Sequence, residues 1–324
     1  MSKYELSAAD IKLGINRVLT EAFASATVSE NPKIIYITSG QGGGKTSMAL
    51  HKKRELKEEG IRAYGIDSDK IAEFHPYNED LMEELPDVWY EETRKFVRPA
   101  TPLIFEGLMR SKITLICEKV FNKGEKDFEQ IRTLKEYGYK VEVNVIATDL
   151  FESRLSCYER EAAMLIAGLQ PRGATTKEKQ IKLHNAFVRE LGQIEQMGLC
   201  DEINVYIRGE NINKPPILKY STLAKDNKYK SFQEAIKEER RIQREKLVAN
   251  PADYLVRIEN ARKTIQEYGT NPELTQNAIN GLNELQQDFI IELGKEEVER
   301  YTSSSNFFIG SLNFAASSNS IFSA

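Results

Sequence analysis

The chain has 324 residues, 45 basic and 49 acidic, for a net charge of −4. That balance excludes a broad surface for a nucleic-acid backbone, which needs clustered positive charge, so no nucleic-acid partner is expected. Hydrophobic residues at 40% supply an ordinary core, and roughly 150 residues per domain gives a prior of about two domains. Cys117, Cys157 and Cys200 are far apart and form no CxxC pair, which argues against a disulfide framework or zinc knuckle and fits thiols in a reducing cytosol. The N-terminal MSKYELSAADIKLG carries no signal-peptide apolar run, and no stretch approaches the roughly 18 apolar residues of a membrane span. A cytoplasmic protein is expected, with export as an effector by a signal-free route left open.

In chain order, residues 4–26 read as a helix, with Ser7 and Asp10 as a capping box and Ile11, Ile15, Val18, Leu19, Ala22 and Phe23 on one face. KIIYIT (33–38) is a β-branched run suited to a strand buried on both faces. A glycine-rich turn leads into a helix from about Lys45 to Glu59, stopped by Gly60. IRAYGI (61–66) reads as the second strand, 78–98 as helical, TPLIFEG (101–107) as the third strand and 111–137 as a long helical region closed by Gly138. KVEVNVIAT (140–148) is the fourth strand, followed by helices at 151–168 and 177–197 and a last strand, EINVYIR (202–208). Strands alternating with helices imply an α/β fold with a mostly parallel sheet covered by helices on both faces. In such sheets ligands bind beyond the strand C-terminal ends, where polar clusters fall at 39–46, 67–69 and 106–110.

After Lys214-Pro215-Pro216 the chain becomes highly charged and helical, with helices expected from KSFQEAIKEERRIQREKLV onward, at 251–268 and at 272–299. The organisation expected is an N-terminal helix (1–30), a catalytic domain (31–222), a C-terminal helical extension (223–300) and a Ser-rich tail (301–324) without stable order. The tail's Phe and Ile residues leave open docking to a partner or reading by a secretion apparatus.

The strongest motif is SGQGGGKTS, between a buried strand and a helix. Glycines let backbone N–H groups turn inward on phosphate, and the helix N-terminus adds its positive dipole. Gly40, Gln41, Gly42, Gly43, Gly44, Lys45, Thr46 and Ser47 are therefore the candidate nucleotide site. Lys45 would bridge the β- and γ-phosphates and the Thr46 hydroxyl would ligate Mg²⁺. Ser39 stands where the strict pattern has its first glycine, so either Gly40 takes over the turn or Ser39 is tolerated there.

Asp67 and Asp69 follow the second strand. One could accept a substrate proton while the other holds Mg²⁺ through water or fixes the turn, with helix capping as the competing role. Glu106 and Arg110, after the expected third strand, are candidates for substrate contacts, and His75 beside Pro76 for shaping the site. Arg154, Arg160 and Arg172 offer guanidinium groups of the kind that stabilise a transferring phosphoryl group, or plain surface ion pairs.

The motifs SGQGGGKTS, GIDSDKIAEFHP, FEGLMR, CYEREA and PRGATTKEKQ, in this order over about 33–222, resemble the zeta toxin family of P-loop kinases. The resemblance implies a P-loop kinase fold and transfer of phosphate from ATP or GTP, with Mg²⁺, to the 3′-hydroxyl on the amino sugar of UDP-N-acetylglucosamine. Some relatives phosphorylate other nucleotides, NAD among them. Carried over, Lys45 and Thr46 match the Walker lysine and the metal-ligating threonine, Asp69 the general base, and Glu106 and Arg110 the substrate-binding acid and the arginine after it. Arg160 and Arg172 match the arginines at the phosphoryl group. Two departures stand out: Leu108 replaces a common threonine, and the chain is short between His75-Pro76 and Phe105-Glu106 but long between Arg110 and Gly138. The resemblance also implies an antitoxin, either in trans or as the N-terminal helix in cis. The rival reading is a non-catalytic module in which bound ATP gates partner binding.

Overall fold

The computed structural model describes residues 3–85, 88–169, 171, 173, 175–209 and 214–294. The tail 301–324 and Arg172 lie outside the described residues. Strands β1 (Lys33–Thr38), β2 (Tyr64–Ile66), β3 (Leu115–Glu118), β4 (Lys140–Ile146), β5 (Glu202–Ile207) and β6 (Ile217–Ser221) form one sheet in the order β2-β3-β1-β4-β5-β6. β1 to β5 are parallel, with Tyr36 in register with Cys117 on one side and Val143 on the other, and β6 returns antiparallel to β5. β1 shows why the strand is buried twice over. Side chains alternate between faces, so Ile34 and Tyr36 join one core while Ile35 and Ile37 join another with Met48 and Leu56 of helix α2 (Lys45–Glu58).

The first and larger core lies under α1 (Ala8–Ser25), α5 (Trp89–Arg110), α6 (Glu125–Glu136), α8 (Lys177–Gln196) and α9 (Phe232–Ala249). The expected capping box starts α1: the Ser7 hydroxyl accepts from Asp10 N at 3.2 Å, and Ser7 N donates to the Asp10 carboxylate at 2.9 Å. α1 packs tightly on α5. A Cβ on Gly14 would stand 2.5 Å from the Phe96 ring, and Gly107 lies under Leu19. Short helices α3 (Ser68–Glu73) and α4 (Asn78–Glu84) precede α5.

Two expectations change here. TPLIFEG is not a strand but the last part of α5, and the third strand lies inside the stretch expected to be helical, at Leu115–Glu118. Val97, Ala100, Ile104 and Leu108 are all buried at helical spacing, which a strand could not achieve on one face. Pro99 and Pro102 sit inside the helix on its exposed side, where water can take the carbonyls they free.

Helix α7 (Leu150–Ile166) carries a third core with α10 (Pro251–Tyr268) and α11 (Pro272–Leu293), around Phe151, Leu155, Tyr158, Tyr254, Leu282 and Phe289. Arg154, nearly fully buried on α7, donates to Asp288 on α11 at 2.6 Å, and Lys177 at the head of α8 reaches the same carboxylate at 2.8 Å. The C-terminal helices therefore lean directly on the helix that carries CYEREA. Among the described residues no helix is long and apolar enough to cross a membrane.

Candidate active site

The glycine-rich turn sits at the C-terminal end of β1 and feeds α2, with Gly44 at the N-cap at φ 93° and Gly42 at φ 66°. Left-handed φ favours glycine at both. At Gly42 space adds a second reason, since a Cβ there would stand 2.2 Å from the Ser153 carbonyl of α7. Ser39 is accommodated without strain. Neither Ser39 nor Gly40 takes a positive φ, and the Ser39 hydroxyl donates to the Gly40 carbonyl at 2.9 Å.

The loop's carbonyls are tied from outside. Thr148 Oγ1 donates to Gly43 O at 2.9 Å, Arg208 Nε to the same oxygen at 3.2 Å, and Ser153 Oγ to Gln41 O. With these oxygens engaged, the loop offers an anion the N–H groups at the head of α2. Lys45 Nζ donates to Gly40 O at 3.0 Å. Burial pulls its ammonium down to about 8, against the pull of Glu118, with Arg160 and Arg208 adding to the depression.

Asp67 and Asp69 are placed differently. Asp67 caps α3, its Oδ1 accepting from Asp69 N and Lys70 N, both at 2.8 Å. Asp69, in the first turn and exposed, lines a cleft of about 210 Å³ together with Gln41 of the loop, Arg160 and Glu161 of α7, and Thr175. The cleft thus joins four of the motifs: GQGGGKT, DSD, CYEREA and PRGATT.

Glu106 and Arg110 are not brought there. They pair with each other at 2.7 Å, one turn apart on the exposed side of α5. The place beyond β3 belongs to Glu118, whose carboxylate accepts from Thr46 Oγ1 at 3.1 Å. Burial and then Asp67 push the Glu118 carboxyl above its usual range, while the Thr46 hydroxyl pulls it back. A signal for it stood in the sequence: Ile113-Thr114-Leu115-Ile116-Cys117 is a better buried-strand run than TPLIFEG. Leu108, expected to be a pocket residue, is a core residue of α5.

His75 is buried beside Phe96 and Tyr77, its Nδ1 accepting from Tyr77 N at 3.1 Å, so it holds the turn after α3 and does not line the cleft. His184, not singled out as a site residue, is buried under the loop. A Cβ on Gly40 would stand 2.9 Å from its Nδ1, and burial beside Arg240 and Arg244 drives it down to about 3, so it stays neutral. Glu161, also missed, is nine-tenths buried with neither carboxylate oxygen hydrogen-bonded, and desolvation raises it to about 7. Arg154 is a structural ion pair, whereas Arg160 is exposed at the cleft.

The donors suit a hard cation shared with phosphate. The Thr46 hydroxyl and the Glu118 carboxylate are adjacent oxygens at the loop that could ligate such a cation. Among the described residues no group of three or more His, Cys, Asp or Glu side chains holds a metal unaided. A magnesium ion here would therefore be held jointly by these residues and the nucleotide.

The sequence model of the Zeta toxin family matches residues 16–215. Toxin PezT of Streptococcus pneumoniae serotype 4 is 24% identical over 199 residues, 61% of this chain and 78% of the relative. Among solved structures, one from the PezAT chromosomal toxin–antitoxin system of that pathogen superposes with a TM-score of 0.63 at 20% identity, covering 83% of this chain and all of the other. The AvrRxo1-ORF1:-ORF2 complex with ATP gives 0.51 at 13% identity, over 86% and 90% of the two chains. The family match over residues 16–215, on a fold shared with these proteins, places the chain in the zeta toxin family of P-loop kinases, and makes it a phosphotransferase.

Proposed function

We propose that the chain moves the γ-phosphate of ATP or GTP onto a hydroxyl of a nucleotide sugar, with the 3′-hydroxyl of UDP-N-acetylglucosamine as the first acceptor to test and another nucleotide such as NAD as the alternative. The observation that carries this is one cleft lined by Gln41 of the phosphate loop, Asp69 and Arg160. Asp69 takes the proton of the acceptor hydroxyl, whose oxygen bonds to the γ-phosphorus as the bond to the departing diphosphate oxygen breaks. Lys45 and the α2 N-terminus neutralise the leaving diphosphate, and Arg160 faces the transferring group; Arg172 is proposed beside it from the family resemblance. Magnesium, held through Thr46 and Glu118, supplies further charge neutralisation when bound. An antitoxin acting in trans is the proposed partner, supported by the toxin–antitoxin setting of the PezAT relative.

The test is mass spectrometry of purified protein with ATP, Mg²⁺ and a panel of UDP-N-acetylglucosamine, NAD and related nucleotides. A product heavier by one phosphate is expected. Asp69→Asn should cut transfer by about 10²–10⁴-fold with nucleotide affinity nearly intact. Normal transfer by that variant would remove Asp69 from the base role.

A further inference from the structure

Asp69 lines a second depression, whose lining includes no residue of the phosphate loop. This groove, of about 100 Å³, runs between α3 and α5. Its walls include Trp89, Tyr90, Thr93, Arg94 and Arg98. Two aromatic faces and two guanidinium groups meet there, and among the described lining residues Asp69 is the one carboxylate. In a chain of net charge −4 this is a local inversion of charge. Arg94 is partly fixed already: Nη1 donates to the Tyr90 hydroxyl at 2.7 Å, and the guanidinium stands 5.2 Å from the Tyr90 ring centroid. Its buried Nε has no hydrogen-bond partner. Trp89 is held by Nε1 donating to Asn78 Oδ1 at 2.9 Å. The groove thus offers held ring faces and an oriented cation with unspent hydrogen-bonding capacity.

Resting on the kinase reading above, we propose that this α3–α5 groove holds the nucleotide end of the acceptor, its base against the Trp89 and Tyr90 rings and its phosphates on Arg94 and Arg98. The geometry follows from Asp69 being common to both spaces. A hydroxyl at Asp69 must present its oxygen to the space shared with the loop residue Gln41, which leaves the groove, lined by no loop residue, for the remainder of the acceptor. Aromatic rings stack on any base, and guanidinium forks pair with phosphate oxygens. A free sugar would use neither feature, so the groove selects phosphate-bearing nucleotides over simple sugars.

Trp89 is the only tryptophan in the chain, so its fluorescence reports this groove. The full-length protein, with Mg²⁺ and a non-hydrolysable ATP analogue present, is titrated with UDP-N-acetylglucosamine, NAD, UDP and N-acetylglucosamine. Saturable quenching by at least one of the nucleotides, and none by the sugar alone, is expected. Arg94→Ala and the exposed Arg98→Ala should each weaken that binding and raise the acceptor KM about 10-fold or more, with the KM for ATP unchanged. Three results would overturn the assignment: no quenching by any nucleotide, quenching by the ATP analogue alone that disappears in Lys45→Ala, or an unchanged acceptor KM in both arginine variants. A wild-type protein that phosphorylates nothing but still shows arginine-dependent quenching would sink the kinase reading and keep the groove. Normal phosphorylation with indifferent arginines would do the reverse.

Discussion

Glu118 and Glu106 are both glutamates near the end of an apolar run, and only the fold tells them apart. Glu118 is fixed at the mouth of β3 against Thr46, one residue past Lys45 of the glycine-rich loop. Glu106 is spent on Arg110 in an exposed helical pair, a contact of the kind worth under about 1 kcal/mol. The two therefore make a matched test. Glu118→Gln should lower kcat by about 10-fold or more and raise the Mg²⁺ concentration needed for half-maximal rate, whereas Glu106→Gln should leave both within about 2-fold and shift stability by less than about 0.5 kcal/mol. A magnesium titration of kcat separates the outcomes. Equal effects from the two variants would mean that Glu118 acts only in packing.

The loop, the Asp67–Asp69 turn and the arginine-bearing α7 were legible at the element scale because each rests on local signals: glycines before Lys-Thr, an Asx cap after a short strand, helical periodicity ended by Gly168. α5 was not legible because two prolines within four residues argue against a helix, and LIF beside them mimics a strand. Tertiary packing overrides that preference, since the face carrying Phe96, Ile104 and Leu108 is clamped by α1. The stretch 78–98, expected to be helical, holds α4 and the first part of α5. β6 went unseen because it is an edge strand with exposed Ile217 and Leu218 and no clean alternation. The clamp also bears on inhibition in cis. Val18 and Ala22 of α1 are core residues, and Glu21 pairs with Lys70 next to Asp69. Deleting residues 1–28 should therefore destabilise the protein by more than about 3 kcal/mol, seen as a lower thermal midpoint and lost activity. A deletion product with higher activity would make α1 an inhibitor.

On the scale of the whole molecule, the charged C-terminal segment reads in the sequence as a solvated extension, but its α10 and α11 build a core with the back of α7. Periodicity reveals that such helices have an apolar face. It does not reveal which distant helix covers that face, because the contact is between residues about 100 positions apart. Arg154 illustrates the consequence. Read as a candidate for phosphoryl stabilisation, it is instead sealed against Asp288. Arg154→Ala should cost about 1–2 kcal/mol, from the lost hydrogen bond and buried stem while Lys177 still pairs Asp288, and a chain ending at residue 250 should bare Phe151, Leu155 and Tyr158 and fail to fold cooperatively. Denaturant midpoints of the two proteins check this. A truncated chain with wild-type stability would make the helices dispensable.

The order of the sheet has a further effect. Its two outermost strands are β2, of three residues, and β6, of five, the latter entered through Pro215 and Pro216, which have no N–H to donate. Neither border presents a long ladder of open amides on which another β-ribbon could grow, and Lys219 puts a charge in the middle of the longer one. The α/β body is thereby guarded against edge-to-edge stitching when many copies crowd together.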